Sequence, residues 1–305
     1  MRGKILKALY QSKDHISGEI ISKKLGISRV SVWKHIQSLK RDGYTIDTSP
    51  KGYLLISSPD LLLPDEFTGL KQKIYYFKET SSTMEVARKL AKKGEEAIVI
   101  AEAQTHGKGR LGRKWHSGKG GIYFTIILRP KISPAYAQVV NLMAAVSVAK
   151  AIKLVFDLRA ELKWPNDVLI KGKKVCGILA EMDAEVDAVN FINLGIGINA
   201  NNPISLYEKD VTSLKEELGR DVSRKELLAF VLNEIERQKL LLGRKEIINE
   251  WKDLSSTLNK NVRIIMPNET VKGKAIDIDI DGALILKRKD GSLRRIIAGD
   301  CIHLR

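Results

Sequence analysis

The apolar residues of this chain change period twice, and those two changes limit the folds open to it. In the first forty or so residues they recur at helical spacing: Ile5, Leu6 and Leu9, then Ile20, Ile21 and Leu25, then Val32, Ile36 and Leu39. Ser17 and Ser28 stand where N-caps of the second and third helices belong, and Gly26 where the second stops. The LGIS turn between them has the form that joins the two helices of a helix-turn-helix. YTIDTSPKGYLLI then alternates with period two around Pro50-Lys51-Gly52, a hairpin placed like a wing. From Lys73 strand-like and helix-like runs alternate. From Asn261 only short β-runs remain, with turns at Asp281-Gly282 and Asp290-Gly291. The expected architecture is α+β and multidomain: a winged helix-turn-helix over residues 1–60, a central mixed β-sheet with helices over 65–256, and a small β-barrel over 259–305.

Within the central stretch the pattern predicts strands at Ile74 to Lys78, Ala97 to Ala103 and Gly121 to Leu128. Helices are expected at Thr83–Lys93, Thr212–Leu218 and Arg224–Leu242, with capping boxes at Ser82/Glu85 and Ser223/Glu226. SPDLLLPDE, with its two prolines, reads as a linker. The uncharged run Ile132 to Ala149 carries Pro134, Gln138, Asn141 and two serines, so it reads as a buried amphipathic helix and not as a membrane span.

The 305 residues carry a net charge of +16, and residues 1–58 hold 11 basic against 4 acidic side chains. A polyanion is the partner this favours. If Val32, Ile36 and Leu39 face inward, Arg29, Ser31, Trp33, Lys34 and Gln37 face wholly or partly outward, a set suited to DNA; Lys40, Arg41 and Lys51 could meet phosphates. The competing reading is a three-helix interaction module with a solvated basic face. Cys176 and Cys301 stand too far apart for a C-x-x-C or zinc motif, so a reducing cytoplasm is expected, with no disulfide framework and no membrane partner.

Chemistry concentrates in GKGRLGRKWHSGKGG, from Gly107 to Gly121. Its glycines let the backbone approach an anion, and Lys108, Arg110, Arg113 and Lys114 can neutralise phosphate oxygens. It has neither the Walker ending nor Rossmann spacing. Downstream stand KWPND (Lys163 to Asp167), KGKKVCGILAEM (Lys171 to Met182) and GIGIN (Gly195 to Asn199); upstream stand SST (Ser81 to Thr83) and AEAQ. In order and spacing these motifs resemble the biotin protein ligases. With a helix-turn-helix ahead and a small β-domain behind, the whole chain resembles the bifunctional type, which is also the biotin operon repressor.

That resemblance implies a central domain like the class II synthetases and an SH3-like C-terminal domain. It implies activation of biotin by ATP to biotinyl-5′-AMP, then transfer to a lysine of the biotin carboxyl carrier protein, with Mg²⁺ as cofactor. The operator DNA of biotin synthesis or uptake genes would be a partner, bound as a homodimer formed on ligand binding. By motif, Ser82, Thr83 and Gln104 are expected at the ureido head of biotin. Gly107, Lys108 and Arg110 belong to the loop that closes over biotin and the adenylate, and Arg113 and Trp115 continue it toward the nucleotide. Lys163 and Lys174 would hold carboxyl and phosphoryl oxygens, with Lys174, Arg110, Asp167 and Lys163 as the catalytic set. Asp167 would meet Mg²⁺, positioned by Asn166. Gly177 gives close backbone approach, and Asn199 reads adenine. Lys108 stands where the commonest family loop has arginine, and the segment after Asn199 lacks the tryptophan that some members place near adenine. Two alternatives remain open at this point: a biotin-sensing transcription factor without catalysis, and a ligase for lipoate or another acid on the related fold. Trp164 reads as core, Lys171 and Lys173 as a solvated turn, and Cys176 as a core filler.

Overall fold

The computed structural model describes residues 1–304, which form two compact units meeting in sequence at Gln72 and Lys73. The first holds α1 (Arg2–Gln11), α2 (Gly18–Leu25), α3 (Arg29–Arg41) and an antiparallel hairpin of β1 (Thr45–Ser49) and β2 (Gly52–Ser57). The caps form where the sequence puts them. Ser17 Oγ accepts the Ile20 N–H and Ser28 Oγ the Ser31 N–H, each at 3.1 Å, and Gly26 ends α2 at φ +66°. Ile5, Leu6, Leu9, Ile21, Val32, Ile36 and Leu39 make the core.

SPDLLLPDE is not a linker. Leu62 and Leu63 are buried in the first unit, Asp65 pairs with Arg2, and Glu66 accepts the Tyr44 hydroxyl at 2.6 Å. Consecutive leucines cost too much apolar exposure to lie free, and they outweigh the turn-forming prolines.

The second unit is built on a seven-stranded sheet: β3 (Lys73–Phe77), β4 (Ala97–Ala101), β5 (Ile122–Leu128), β6 (Glu161–Lys163), β7 (Asp167–Ile170), β8 (Lys173–Ala184) and β9 (Val189–Ile198). Its order is β3-β4-β5-β9-β8-β7-β6, with only β3 and β4 parallel. α4 (Thr83–Ala91) fills the β3–β4 crossover and packs on β4, β5 and β9. β5 is buried along its whole length, so both faces of the sheet are covered there.

α5 (Ala137–Phe156) lies against β8 and the β6–β7 ribbon on one side. On the other lie α7 (Arg224–Lys239) and α8 (Lys245–Asp253), while the short α6 (Leu214–Leu218) precedes them. Residues 134–156 are long and apolar enough to cross a membrane, yet most of that span is buried among these elements. The expected amphipathic stripe is absent, because α5 has protein on several sides and is apolar nearly all round.

The last five strands are β10 (Asn261–Ile265), β11 (Thr270–Ile278), β12 (Leu284–Lys287), β13 (Leu293–Ile296) and β14 (Asp300–His303). They form an antiparallel sheet of order β13-β12-β11-β10-β14.

Candidate active site

A cavity of about 330 Å³ opens in the second unit, and most of the chemistry-bearing motifs converge on it. The start of α4, Gln104, the glycine loop, the KWPND turn, the middle of β8 and β9, and β14 supply its wall. Of the residues singled out in the sequence, Thr83, Gln104, Lys108, Arg110, Arg113, Trp115, Lys163, Asn166, Asp167, Lys174 and Gly177 line it. Ser82, Gly107 and Asn199 lie behind the wall. Asn199 is buried, and its Oδ1 accepts from Asn202 Nδ2 at 3.2 Å.

One part of the wall is neutral and hydrogen-bonded in a fixed sense. Thr125 Oγ1 donates to Thr83 Oγ1 at 2.9 Å. Thr83 gives both its N–H (2.8 Å) and its hydroxyl (3.1 Å) to Gln104 Oε1. Gln104 Nε2 donates to Ser117 Oγ at 2.8 Å, and Ser117 Oγ to the Trp115 carbonyl at 3.1 Å. The relay determines which way the Gln104 amide faces. Ser82 Oγ, next to it in sequence, is buried with no partner among the described residues. The expected Ser82/Glu85 capping box does not form. Glu85 instead accepts from Ser81 Oγ at 2.8 Å and pairs with Lys108 at 3.1 Å, and these two contacts hold its carboxyl below the usual range.

Another part of the wall gathers cations, and Lys174, Arg110 and Arg113 each face an acid. Lys174 Nζ stands 2.6 Å from Asp167 Oδ1 and 5.3 Å from the centroid of the Trp115 ring. Arg110 Nη1 donates to Asn166 Oδ1 at 3.2 Å, while Asn166 Nδ2 donates to the Ile178 carbonyl at 2.8 Å. Burial lowers the Arg110 guanidinium from its ordinary value against the opposing pull of Asp300 and Asp167. Arg113 pairs with Asp300.

The Trp115 indole lies on two glycines paired across β8 and β9, Gly177 and Gly197. A Cβ on Gly177 would come within 2.8 Å of the ring, and one on Gly197 within 2.3 Å of Nε1. Only a bare backbone lets a flat ring settle on the ladder here. Trp164 is both core and cavity wall, its Nε1 donating to the Gly282 carbonyl at 3.1 Å. Cys176 is fully buried and its thiol pushed up by desolvation, which suits a filler; Lys171 and Lys173 are exposed.

Sequence reasoning missed Ser117, Thr125, Glu85, Gly197 and Asp300. Thr125 had a signal, being the polar residue inside the otherwise apolar IYFTIIL. Asp300 had none, since its role depends on strands that meet only in the fold.

In the first unit Arg29, Trp33 and Lys34 are exposed on α3 and Ser31 and Gln37 half-buried, as the helical spacing requires. Lys40 leans onto the wing, donating to Thr48 Oγ1 at 2.9 Å.

The chain belongs to the biotin/lipoate A/B protein ligase family, whose pattern matches residues 75–199, from β3 through the end of the GIGIN motif. A helix-turn-helix domain matches residues 2–54, and the biotin protein ligase C-terminal domain matches 257–304. More particularly, the chain is similar to the bifunctional ligase/repressor BirA of Bacillus subtilis: 38% identical over 304 residues, covering 94% of this chain and 93% of that protein. The Escherichia coli protein of the same name is 29% identical, with 98% and 96% covered. Among solved structures, the biotin protein ligase of Aquifex aeolicus in complex with biotin and ATP superposes with a TM-score of 0.65 at 30% identity. It covers 77% of this chain and all of that one.

Proposed function

We propose that this protein is a biotin protein ligase joined to a biotin-responsive transcriptional repressor. At the cavity, the biotin carboxylate attacks the α-phosphate of Mg-ATP, giving biotinyl-5′-AMP and pyrophosphate. A lysine amine of the biotin carboxyl carrier protein then attacks the mixed anhydride and releases AMP. The observation that carries this reading is the division of one cavity into a neutral hydrogen-bonding wall and a cationic wall. Thr83 and Gln104 suit the ureido head of biotin, with the unpartnered Ser82 hydroxyl buried behind them; Arg110, Arg113, Lys163 and Lys174 suit phosphates.

The barrier in the first step is repulsion between two anions. Lys163, Lys174 and Arg110 offset it by placing fixed cations where charge accumulates, and the loop carrying Trp115 keeps water from the anhydride. Lys174 is held by Asp167, and Arg110 by Asn166 and the Gly299 carbonyl, so these two cations are in place before the phosphates arrive.

Mg²⁺, carried by ATP, would neutralise phosphate charge at this cavity. Asp167 would offer it one carboxylate. Asn199, whose motif implies contact with adenine, is buried behind the wall and bonded to Asn202, so it does not face the cavity to read the base.

In the first unit Arg29, Ser31, Trp33, Lys34 and Gln37 form the DNA-reading face, acting on an operator of biotin synthesis or uptake genes. A homodimer formed through the central sheet when the adenylate is bound couples that binding to biotin supply. The free, buried Cys176 and Cys301 fit a protein that works in the cytoplasm. The test is incubation with [α-³²P]ATP and biotin, with and without carrier domain. Labelled adenylate that forms with biotin and not with lipoate, and discharges to AMP with carrier, is the expected result.

A further inference from the structure

Two arginines of the glycine loop are held from outside the central sheet, by the turn that leads into β14. Arg110 Nη1 donates to the Gly299 carbonyl at 3.3 Å and stands 3.8 Å from Asp300 Oδ1, besides its bond to Asn166. Arg113 Nη2 contacts the other oxygen, Asp300 Oδ2. The Asp300 side chain is 14% exposed, whereas that of Arg113 is 67% exposed. A mostly buried carboxylate therefore gathers two guanidinium groups from a loop almost two hundred residues away. All the fixed contacts of Arg110 fall on Nη1. Among the described residues its Nε and Nη2 carry no hydrogen bond, although the residue lines the cavity.

We propose that Asp300, with the Gly299 carbonyl, is a positioning residue for adenylation: it anchors Arg110 by one edge and leaves the rest of the guanidinium fork to take phosphate oxygens. The proposal rests on the reading of this cavity as the ATP site. Asp300 cannot itself bind a phosphate, because two anions repel. Its contribution is to hold a side chain that would otherwise sample many rotamers, and to hold the loop that carries it. The small C-terminal sheet thereby supplies part of the cavity wall, through Ile265, Asp300, Cys301 and Ile302, and its effect falls on ATP more than on biotin, whose candidate contacts at Thr83 and Gln104 lie on other elements.

The test compares Asp300→Asn, Asp300→Glu and Arg110→Ala by steady-state adenylation in the full-length protein, varying ATP and biotin separately. Asp300→Asn should raise the KM for ATP about tenfold and the KM for biotin less than about twofold, since a charge-assisted anchor is lost on one side only. Asp300→Glu should recover most of the difference. Once Arg110 is alanine, adding Asp300→Asn should change the KM for ATP little further. A control, Glu269→Gln, removes the partner of Arg294 elsewhere in the same sheet and should leave the KM for ATP as it was. An unchanged KM for ATP in Asp300→Asn overturns the proposal. So does an equal rise in both constants with a fall in melting temperature, which would mark Asp300 as merely structural. If Arg110→Ala is itself normal in adenylation, the assignment of the cationic wall to ATP fails as well; if Arg110→Ala is impaired and Asp300→Asn is not, only the positioning role falls.

Discussion

Lys174 Nζ lies between two acceptors of different kinds, the Asp167 carboxylate at 2.6 Å and the face of Trp115, whose centroid is 5.3 Å away. The contact with Asp167 holds the ammonium in place before substrate arrives, and the indole shields it from water. A cation fixed in this way stabilises charge that develops on phosphoryl oxygens. Lys174→Ala should slow adenylation by about a hundredfold or more, the effect typical of removing one such group. Single-turnover formation of labelled adenylate measures it, and a near-normal rate would remove Lys174 from the chemistry.

Thr125 does not line the cavity, yet it orients Thr83, which orients Gln104. Thr125→Val keeps the shape and deletes the donor at the head of the relay. The KM for biotin should rise about fivefold, in line with roughly 1 kcal/mol for one buried hydrogen bond, while the KM for ATP stays put. Equal effects on both substrates would show the relay to be structural only.

Burial, with Lys163 and Lys260 adding to it, pushes the His303 imidazole down to about 4. Its Nε2 meets Thr257 Oγ1 at 3.0 Å, and Thr257 Oγ1 also accepts the Trp164 N–H at 3.0 Å, so the ring supports the KWPND turn in its neutral form. The unfolded chain protonates this group near pH 6.5 and the folded chain only near pH 4. The contribution of the neutral ring is therefore complete above about pH 6.5 and is lost as pH falls toward about 4. His303→Gln should flatten the dependence of melting temperature on pH across that window. A wild-type slope in the variant would contradict this.

Arg29 opens the exposed face of α3, far in sequence from any cavity residue. Arg29→Ala should weaken operator binding and leave biotinylation of the carrier domain near wild type. Gel-shift titrations at several salt concentrations, with and without adenylate, separate the cases. Binding by the wild type should weaken steeply with salt and tighten with adenylate. If adenylate changes neither oligomeric state nor promoter affinity, the repressor reading fails and the ligase reading stands.

Much of this was legible before folding because it is local. The caps Ser17 and Ser28, the stop at Gly26 and the hairpin at Pro50–Gly52 are decided within a few residues, and all appear in the fold. The motif residues on the cavity wall were legible because their types carry chemistry. What escaped depends on distant partners. Ser82 and Glu85 have capping-box spacing, but Lys108 and Ser81 compete for the carboxylate. Leu62 and Leu63 look like linker until the core that receives them is known. α8 carries Ile247, Ile248 and Trp251 at helical spacing, yet it opens at Arg244 with no side-chain cap to announce it. Gly197 escaped because its contribution is the lack of a side chain under Trp115.

The wall formed by β14 has a consequence for biosynthesis. A chain leaving the ribosome N-terminus first presents the entire seven-stranded sheet, the glycine loop and every motif lysine before Asp300, Cys301 and Ile302 emerge to complete the cavity. The helix-turn-helix unit can fold still earlier. A nascent or prematurely ended polypeptide would thus hold a complete helix-turn-helix unit long before it holds a complete cavity. The cavity is the later of the two to be completed, because the residues that finish its wall are among the last to be made.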